Sequence, residues 1–262
     1  MKGFMRSGGG ALTALMVVVF LIAGGQAQQE SVHAWKIHDP DRPLPPVVEP
    51  GPSTGEDESV PAPSDAMVLF NGTDLSHWQS SRGGPAQWKV ENGYMEITGR
   101  GGAIRTSDLF GDCQLHVEYR LPDPPSGEGQ NRGNSGIFLQ DIYEVQILDS
   151  YGNITYADGM MGALYGQYPP LVNVCRPPGE WQSLDILYTR PRFNSEGGLL
   201  EPAIFTVFHN GVLIHDHAEL VGPTVWQQRP PYEAHADRLP ISIQDHGAPV
   251  RFRNIWIRDL ER

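Results

Sequence analysis

From about Asp65 onward, apolar and polar residues alternate with a period of two. Leu115, Val117, Tyr119 and Leu121 interleave with His116, Glu118 and Arg120. Leu184, Ile186 and Tyr188 repeat the pattern, as do Phe205, Val207 and His209 against Ile204, Thr206 and Phe208. This period places one row of side chains in a core and the other on the opposite face of a strand. The dipeptides Asn92-Gly93 and Asn210-Gly211 stand between such runs. They tolerate the positive φ of a tight hairpin, so neighbouring strands are expected to run antiparallel. No long amphipathic helix and no internal repeat interrupts the series, and Gly and Pro are abundant. The pattern predicts an all-β domain over 66–262, an antiparallel sandwich of two sheets.

The first 65 residues read differently. Lys2 and Arg6 precede an apolar run from Ala11 to Ala23, and Gly25-Gln26-Ala27 offers small residues ahead of a cut, so 1–27 reads as a signal peptide cleaved after Ala27. The run falls short of the ~20 residues of a comfortable membrane span, and no stable span is expected once the signal is removed. Residues 28–65 carry eight prolines with Gly, Ser and acidic residues. Such a segment has too little apolar surface to offset its ordering and is expected to be a disordered linker, with Trp35 its lone aromatic. Export, periplasmic or secreted, would expose Cys113 and Cys175 to an oxidising compartment. Whether they pair is open, because spacing does not show that their α-carbons lie within ~7 Å.

A formal net charge of −12 and the lack of any Lys/Arg run speak against a nucleic-acid partner. There is no phosphate-cradling loop and no dinucleotide fingerprint. Ser135 is not the serine of a nucleophile elbow, because Ile137 stands where that motif needs glycine.

Candidate chemistry gathers around Gly133-Asn134-Ser135-Gly136 and Tyr143-Glu144-Val145-Gln146-Ile147-Leu148-Asp149. In a strand Tyr143, Val145 and Ile147 enter the core while Glu144 and Gln146 share the other face. A carboxylate beside an amide suits a hydroxylated ligand, and an ordinary solvated face is the alternative. Asp149 has the opposite parity to Glu144 unless a bulge re-aims it. Asn134 lies in a glycine-flanked turn that lets a ligand approach the backbone. Gln244 ends the strand-like run Ile241-Ser242-Ile243-Gln244, and His246 just beyond it suits a general acid, a general base or a metal ligand. Arg253 offers a fork of donors for an enolate or sugar oxygens, or a salt bridge holding the last strand. Tyr165 could stack on a sugar ring or fill a core. His215 and His217 lack an evident third metal ligand.

Several ordered motifs carry a resemblance. Leu69-Phe70-Asn71-Gly72-Thr73-Asp74-Leu75 with His77-Trp78, Trp88-Lys89-Val90-Glu91-Asn92-Gly93, the Gly133–Phe138 and Tyr143–Asp149 runs, Gly179-Glu180-Trp181, His209-Asn210-Gly211 and Gln244-Asp245-His246-Gly247 with Phe252-Arg253-Asn254-Ile255 resemble the 3-keto-disaccharide hydrolase family over about Met67 to Leu260. The resemblance implies a jelly-roll sandwich similar to concanavalin A-like lectins and glucanases, and activity on a carbohydrate partner, a glycoside oxidised to a ketone at the third sugar carbon. Such a ketone acidifies the neighbouring carbon. A base can then form an enolate, the glycosidic oxygen leaves, and water adds back for net hydrolysis. On this reading Glu144, His246 and Arg253 are catalytic, while Asn134, Gln146, Asp149, Tyr165 and Gln244 hold substrate. No cofactor is prescribed, although carboxylate, imidazole and amide could assemble a divalent-metal site. A non-catalytic carbohydrate-binding module is the rival. An ordinary glucanase ranks behind it, because Glu144-x-Gln146-x-x-Asp149 departs from the Glu-x-Asp-x-x-Glu signature at two of three acids.

Overall fold

The computed structural model describes Met1 and residues 31–52 and 59–260; the expected signal peptide therefore lies outside the described residues apart from Met1. Fifteen strands follow in chain order. They are β1 (Met67–Phe70), β2 (Trp78–Ser80), β3 (Lys89–Glu91), β4 (Tyr94–Glu96), β5 (Ile104–Thr106), β6 (Cys113–Arg120), β7 (Ser135–Leu139) and β8 (Tyr143–Ile147). Then come β9 (Trp181–Thr189), β10 (Arg192–Phe193), β11 (Leu199–Glu201), β12 (Ile204–His209), β13 (Val212–Glu219), β14 (Ser242–Ile243) and β15 (Arg251–Asp259). The larger sheet has the order β13-β12-β9-β6-β15-β4-β3, with β1 also on β15; the smaller has β2-β5-β14-β7-β8, and β10-β11 is a separate hairpin. Every strand pair is antiparallel, as the hairpin signals require. Asn92-Gly93 and Asn210-Gly211 turn β3 into β4 and β12 into β13 with φ values of 48°, 79°, 50° and 78°. The protein is thus the expected all-β, two-sheet antiparallel sandwich.

Alternation decides the core. Leu115, Val117, Tyr119, Leu184, Ile186, Phe205, Val207 and Phe252 of the larger sheet meet Ile137, Leu139, Tyr143, Val145, Ile147 and Ile243 of the smaller, all buried. The other face of the larger sheet is not simply solvated. His116 and Glu118 are buried there beside Asp185 and Arg253, with His116 Nδ1 2.7 Å from Asp185 Oδ1. The thiols of Cys113 and Cys175 are buried and unpaired.

The segment expected to be a disordered linker is the main departure. Residues 31–50 run over the domain as a strap. A 3₁₀ turn at Val32–Ala34 buries Val32, Pro45 is buried, and Val48 N–H donates to Asn173 O at 2.9 Å. Arg42, 4% exposed, reaches Asp158 at 4.0 Å. Further on, Val60 N–H donates to Glu118 Oε1 at 3.1 Å, and Asp65 pairs with Arg258 at 2.7 Å. Composition misleads here because the strap has no core of its own. The domain supplies its apolar and polar partners, while proline lowers the entropy lost on docking. Among the described residues no helix is long and apolar enough to cross a membrane.

Candidate active site

The outward face of the smaller sheet forms the floor of the site. In the β7-β8 register Phe138 lies opposite Glu144 and Gly136 opposite Gln146, so alternation turns all four positions away from the core. Two loops cover this floor. Gln146 N–H donates to Ala163 O at 2.9 Å and Gly162 N–H returns to Gln146 O at 2.8 Å, which lays residues 160–166 along β8. From the other side, the Thr224 hydroxyl accepts the Glu144 N–H at 3.0 Å. Glu144 and Gln146 are consequently 5% and 1% exposed, and a cavity of about 300 Å³ opens over them.

Glu144 is the chemically distinctive group. Its carboxyl accepts no hydrogen bond among the described residues, and removal from water pushes its pKa up to about 8. Near neutral pH such a carboxyl exchanges its proton readily, and its ionised form is a stronger base than an ordinary glutamate. The glycines earlier in the motif have separate reasons to be there. Gly133 adopts φ 64°, whereas at Gly136 a β-carbon would collide with Glu144 Oε1. The bare Gly136 backbone is what makes room for the carboxyl.

Polar side chains converge on the same cavity. Gln146 Nε2 donates to Gln130 Oε1 at 3.1 Å and to Gly159 O at 3.3 Å, leaving its buried Oε1 without a partner. Asn134 Nδ2 is held by Gln130 O at 2.8 Å. Gln244 is anchored through its backbone: its N–H donates to Gly136 O at 2.9 Å, and its carbonyl accepts from the Ser135 hydroxyl at 2.7 Å. Gln244 and exposed His246 both line the cavity. Tyr165 also lines it, with its hydroxyl 2.8 Å from that of Tyr156. Burial, foremost, and to a lesser degree the nearby Glu144 raise both phenols above the usual range.

The sequence reading missed Phe138, Thr224, Trp226 and, behind the wall, Tyr156. Phe138 was visible as the polar-face neighbour of Glu144 by parity. Trp226, 68% exposed at the cavity, sits in the irregular stretch Gly222–Pro231, where no periodicity marks it. A large aromatic left exposed beside a polar cavity suits stacking on a sugar face.

Two expected site residues are elsewhere. Asp149 keeps the parity opposite to Glu144; it is buried and paired with Arg132 Nε at 2.7 Å, and it accepts Tyr151 N–H at 3.1 Å. Its work is to hold the 129–153 loops. Arg253 lies on the outward face of the larger sheet, across the core from Glu144, because its neighbour Phe252 points inward. Its Nε donates to Glu118 Oε2 at 2.6 Å, and its guanidinium lies 4.1 Å over the Trp181 ring. A bulge at Asn254, φ 45°, lets that residue also reach Glu118, at 2.8 Å. The short Gly247-Ala248-Pro249 link crosses from one sheet to the other, which separates His246 from Arg253. His215 is buried against Gly162 O at 2.8 Å while His217 is exposed, so the two imidazoles do not share a site. Among the described residues no group of three or more His, Cys, Asp or Glu side chains is placed to hold a metal ion.

The site thus sets a buried acid among amides, a tyrosine and an exposed tryptophan on the outward face of an antiparallel β-sandwich. Residues 65–258 match the model of the 3-keto-alpha-glucoside-1,2-lyase-like domain, and the chain belongs to that family. It is 24% identical over 252 residues to the 3-keto-disaccharide hydrolase of Bacteroides thetaiotaomicron, covering 79% of this chain and 83% of that protein. A crystal structure from Parabacteroides distasonis, of a protein assigned as a glycosyl hydrolase, superposes with a TM-score of 0.76 at 46% identity, over 83% of this chain and 93% of that one. A second such protein from the same organism shares the fold at 22% identity and a TM-score of 0.55, over 75% of this chain and 94% of that one.

Proposed function

We propose that the protein is an exported enzyme that cleaves 3-keto-glycosides, 3-keto-disaccharides among them, with Glu144 as the base. The observation that carries this reading is the buried Glu144 carboxyl, its pKa pushed up to about 8, which among the described residues is the acid lining a cavity otherwise formed by neutral polar, aromatic and imidazole groups. Ordinary glycoside hydrolysis uses two carboxyl groups flanking the bond. Asp149, the second acid of the same sequence motif, is turned away into its pair with Arg132.

A ketone route needs only one carboxylate. Ionised Glu144 takes the proton from the carbon between the ketone and the anomeric carbon. The electron pair of that C–H bond forms an enolate, which collapses to a double bond as the glycosidic oxygen leaves with its pair. Water then adds across the new double bond, and the sum is hydrolysis. With Arg253 remote, the Tyr165 hydroxyl, which lines the cavity 2.8 Å from that of Tyr156, is the donor for the enolate oxygen. His246 handles the proton of the leaving oxygen, and Gln146, Asn134 and Gln244 hold sugar hydroxyls. The basic and apolar N-terminal pattern before Ala27 supports export.

Purified protein incubated with a 3-keto-glucoside and with its unoxidised parent tests the reading. Release of the leaving group from the keto compound alone is expected, slowed when the proton next to the ketone is replaced by deuterium. Binding of both compounds without turnover would identify a carbohydrate-binding module instead.

A further inference from the structure

Across the core from Glu144, at the outward face of the larger sheet, Glu118, Arg176, Trp181 and Ser183 line a separate cavity of about 150 Å³. The irregular stretch 174–180 brings Arg176 to the start of β9, where its backbone N–H donates to Gln182 Oε1 at 2.9 Å. Arg176 is 9% exposed, yet its guanidinium makes no hydrogen bond and no ion pair among the described residues, and its Nε is sealed from solvent without a partner. We infer that this cavity binds a small oxyanion, a carboxylate, sulfate or phosphate group, with the Arg176 guanidinium as its principal donor. The inference is independent of the role of Glu144.

Charge is the first argument. A guanidinium taken out of water without a counter-charge is costly, and buried charges are ordinarily paired. The neighbouring Arg253 shows the ordinary arrangement, donating to Glu118 Oε2 at 2.6 Å. Glu118 is not free to serve Arg176 as well. It accepts from Arg253, from Asn254 Nδ2 at 2.8 Å and from Val60 N–H at 3.1 Å. His116, its pKa pushed up to about 9, is cationic at neutral pH. Arg176, Arg253 and His116 therefore outnumber Glu118 and Asp185, a local excess of positive charge in a chain of net charge −12.

Geometry is the second. Trp181 and Ser183 are two apart on β9 and share its outward face, with Ser183 opposite Glu118 in the β6 register. The Ser183 hydroxyl, without a hydrogen bond among the described residues, is a second donor. Two guanidinium groups lie over the Trp181 ring, Arg120 at 4.8 Å and Arg253 at 4.1 Å, so the ring is not open for stacking on a sugar. Size agrees with an ion, because about 150 Å³ is well below the range of roughly 300–1,000 Å³ for pockets that enclose larger organic ligands.

Calorimetric titration of the full protein with sodium acetate, sodium sulfate and inorganic phosphate, against a chloride background of equal ionic strength, is the test. At least one of the three should bind with a stoichiometry of one; acetate tells a planar carboxylate from the two tetrahedral oxyanions. In Arg176→Gln the affinity should fall at least ~10-fold, the loss of a charge-assisted hydrogen bond. Without oxyanion this variant should melt no lower than the unmodified protein, since it removes an unpaired buried charge, and at saturating oxyanion it should melt lower. Sulfate also stabilises proteins by exclusion from their surface, so the comparison between the two proteins is what counts. If Arg176→Gln does not fold, Ser183→Asp, which sets a carboxylate in the cavity, should abolish binding. No binding of any of the three to the unmodified protein, or undiminished binding in a folded variant, would overturn the site.

Discussion

A carboxyl buried without a hydrogen-bond donor is unfavourable chiefly when ionised, which ties Glu144 to both activity and stability. Its folded pKa of about 8 lies above the ordinary 4.5. The stability it contributes is therefore complete below pH 4.5 and is lost as pH rises through about 8, by a few kcal/mol at most. Glu144→Gln keeps the shape and removes the titration. It should lower kcat at least ~100-fold, while its melting temperature, close to that of the unmodified protein at pH 5, should exceed it at pH 8. In the unmodified enzyme kcat/KM should climb with pH toward a plateau above about 8, as Glu144 ionises. Gly136→Ala should be nearly as damaging to turnover, because the new β-carbon occupies the space of Glu144 Oε1. A fully active Gly136→Ala enzyme would show that the position of the carboxyl is not what matters. His246→Ala and Arg253→Ala should separate cleanly. The exposed imidazole should cost turnover with little change in unfolding. Loss of Arg253 should instead destabilise by ~3 kcal/mol, since Glu118 keeps its burial and loses the guanidinium of its ion pair.

At the level of elements, the strap is the part of the molecule with the clearest untested consequence. The His38 ring stacks on Tyr156 at 3.8 Å and meets Tyr165 edge-on at 5.2 Å, while His38 N–H donates to the buried carboxylate of Asp158 at 3.1 Å. Arg229 reinforces the join, donating to Trp35 O at 3.0 Å and to Gly166 O at 2.8 Å. Thus the strap backs Tyr156, which stands behind the cavity-lining Tyr165. A variant lacking residues 31–50 should melt several degrees lower and lose at least ~10-fold in kcat/KM, because small misplacements at a reacting centre are costly. Unaltered melting and kinetics would return the segment to the status of a tether. His38→Ala should show a weaker form of the same loss. The strand elements themselves were legible: β6, β9 and β12 follow the alternation, and both Asn-Gly turns stand where the hairpins bend. The strap was not, because nothing periodic within it announces partners that lie more than a hundred residues away.

At the scale of the molecule, buried titrations shape stability, those of Glu144 and three histidines among them. His116 is pushed up to about 9: burial alone would lower it, but the hydrogen bond to Asp185 and the Glu118 carboxylate 3.6 Å away prevail. Its contribution is complete below pH 6.5 and is lost as pH rises through about 9. His209 and His215 are held neutral by burial at about 3 and about 4, so theirs are present above pH 6.5 and decline as pH falls toward those values. With Glu144 losing stability on the alkaline side, denaturant unfolding across pH 4 to 9 should show a maximum near pH ~6.5. Glu144→Gln should flatten the alkaline limb, and an alkaline limb unchanged in that variant would refute the buried carboxyl as its source. Period-two alternation and turn chemistry are local properties, and so the sequence by itself determined the all-β sandwich, the face shared by Glu144 and Gln146, and the inward set that forms the core. The cavity unites six of the eight proposed site residues, and the family motifs, also local, marked five of those six, Tyr165 lying outside them. Only the tertiary structure decided which sheet each strand joins. That placement carried Arg253 to the far side of the core, gave Asp149 to Arg132, folded the proline-rich strap against Tyr156, and brought Thr224 and Trp226 over Glu144. Burial of the carboxyl, and hence its raised pKa, depends on loops that meet it only after the sheets have packed, since desolvation is a property of the surroundings and not of the residue.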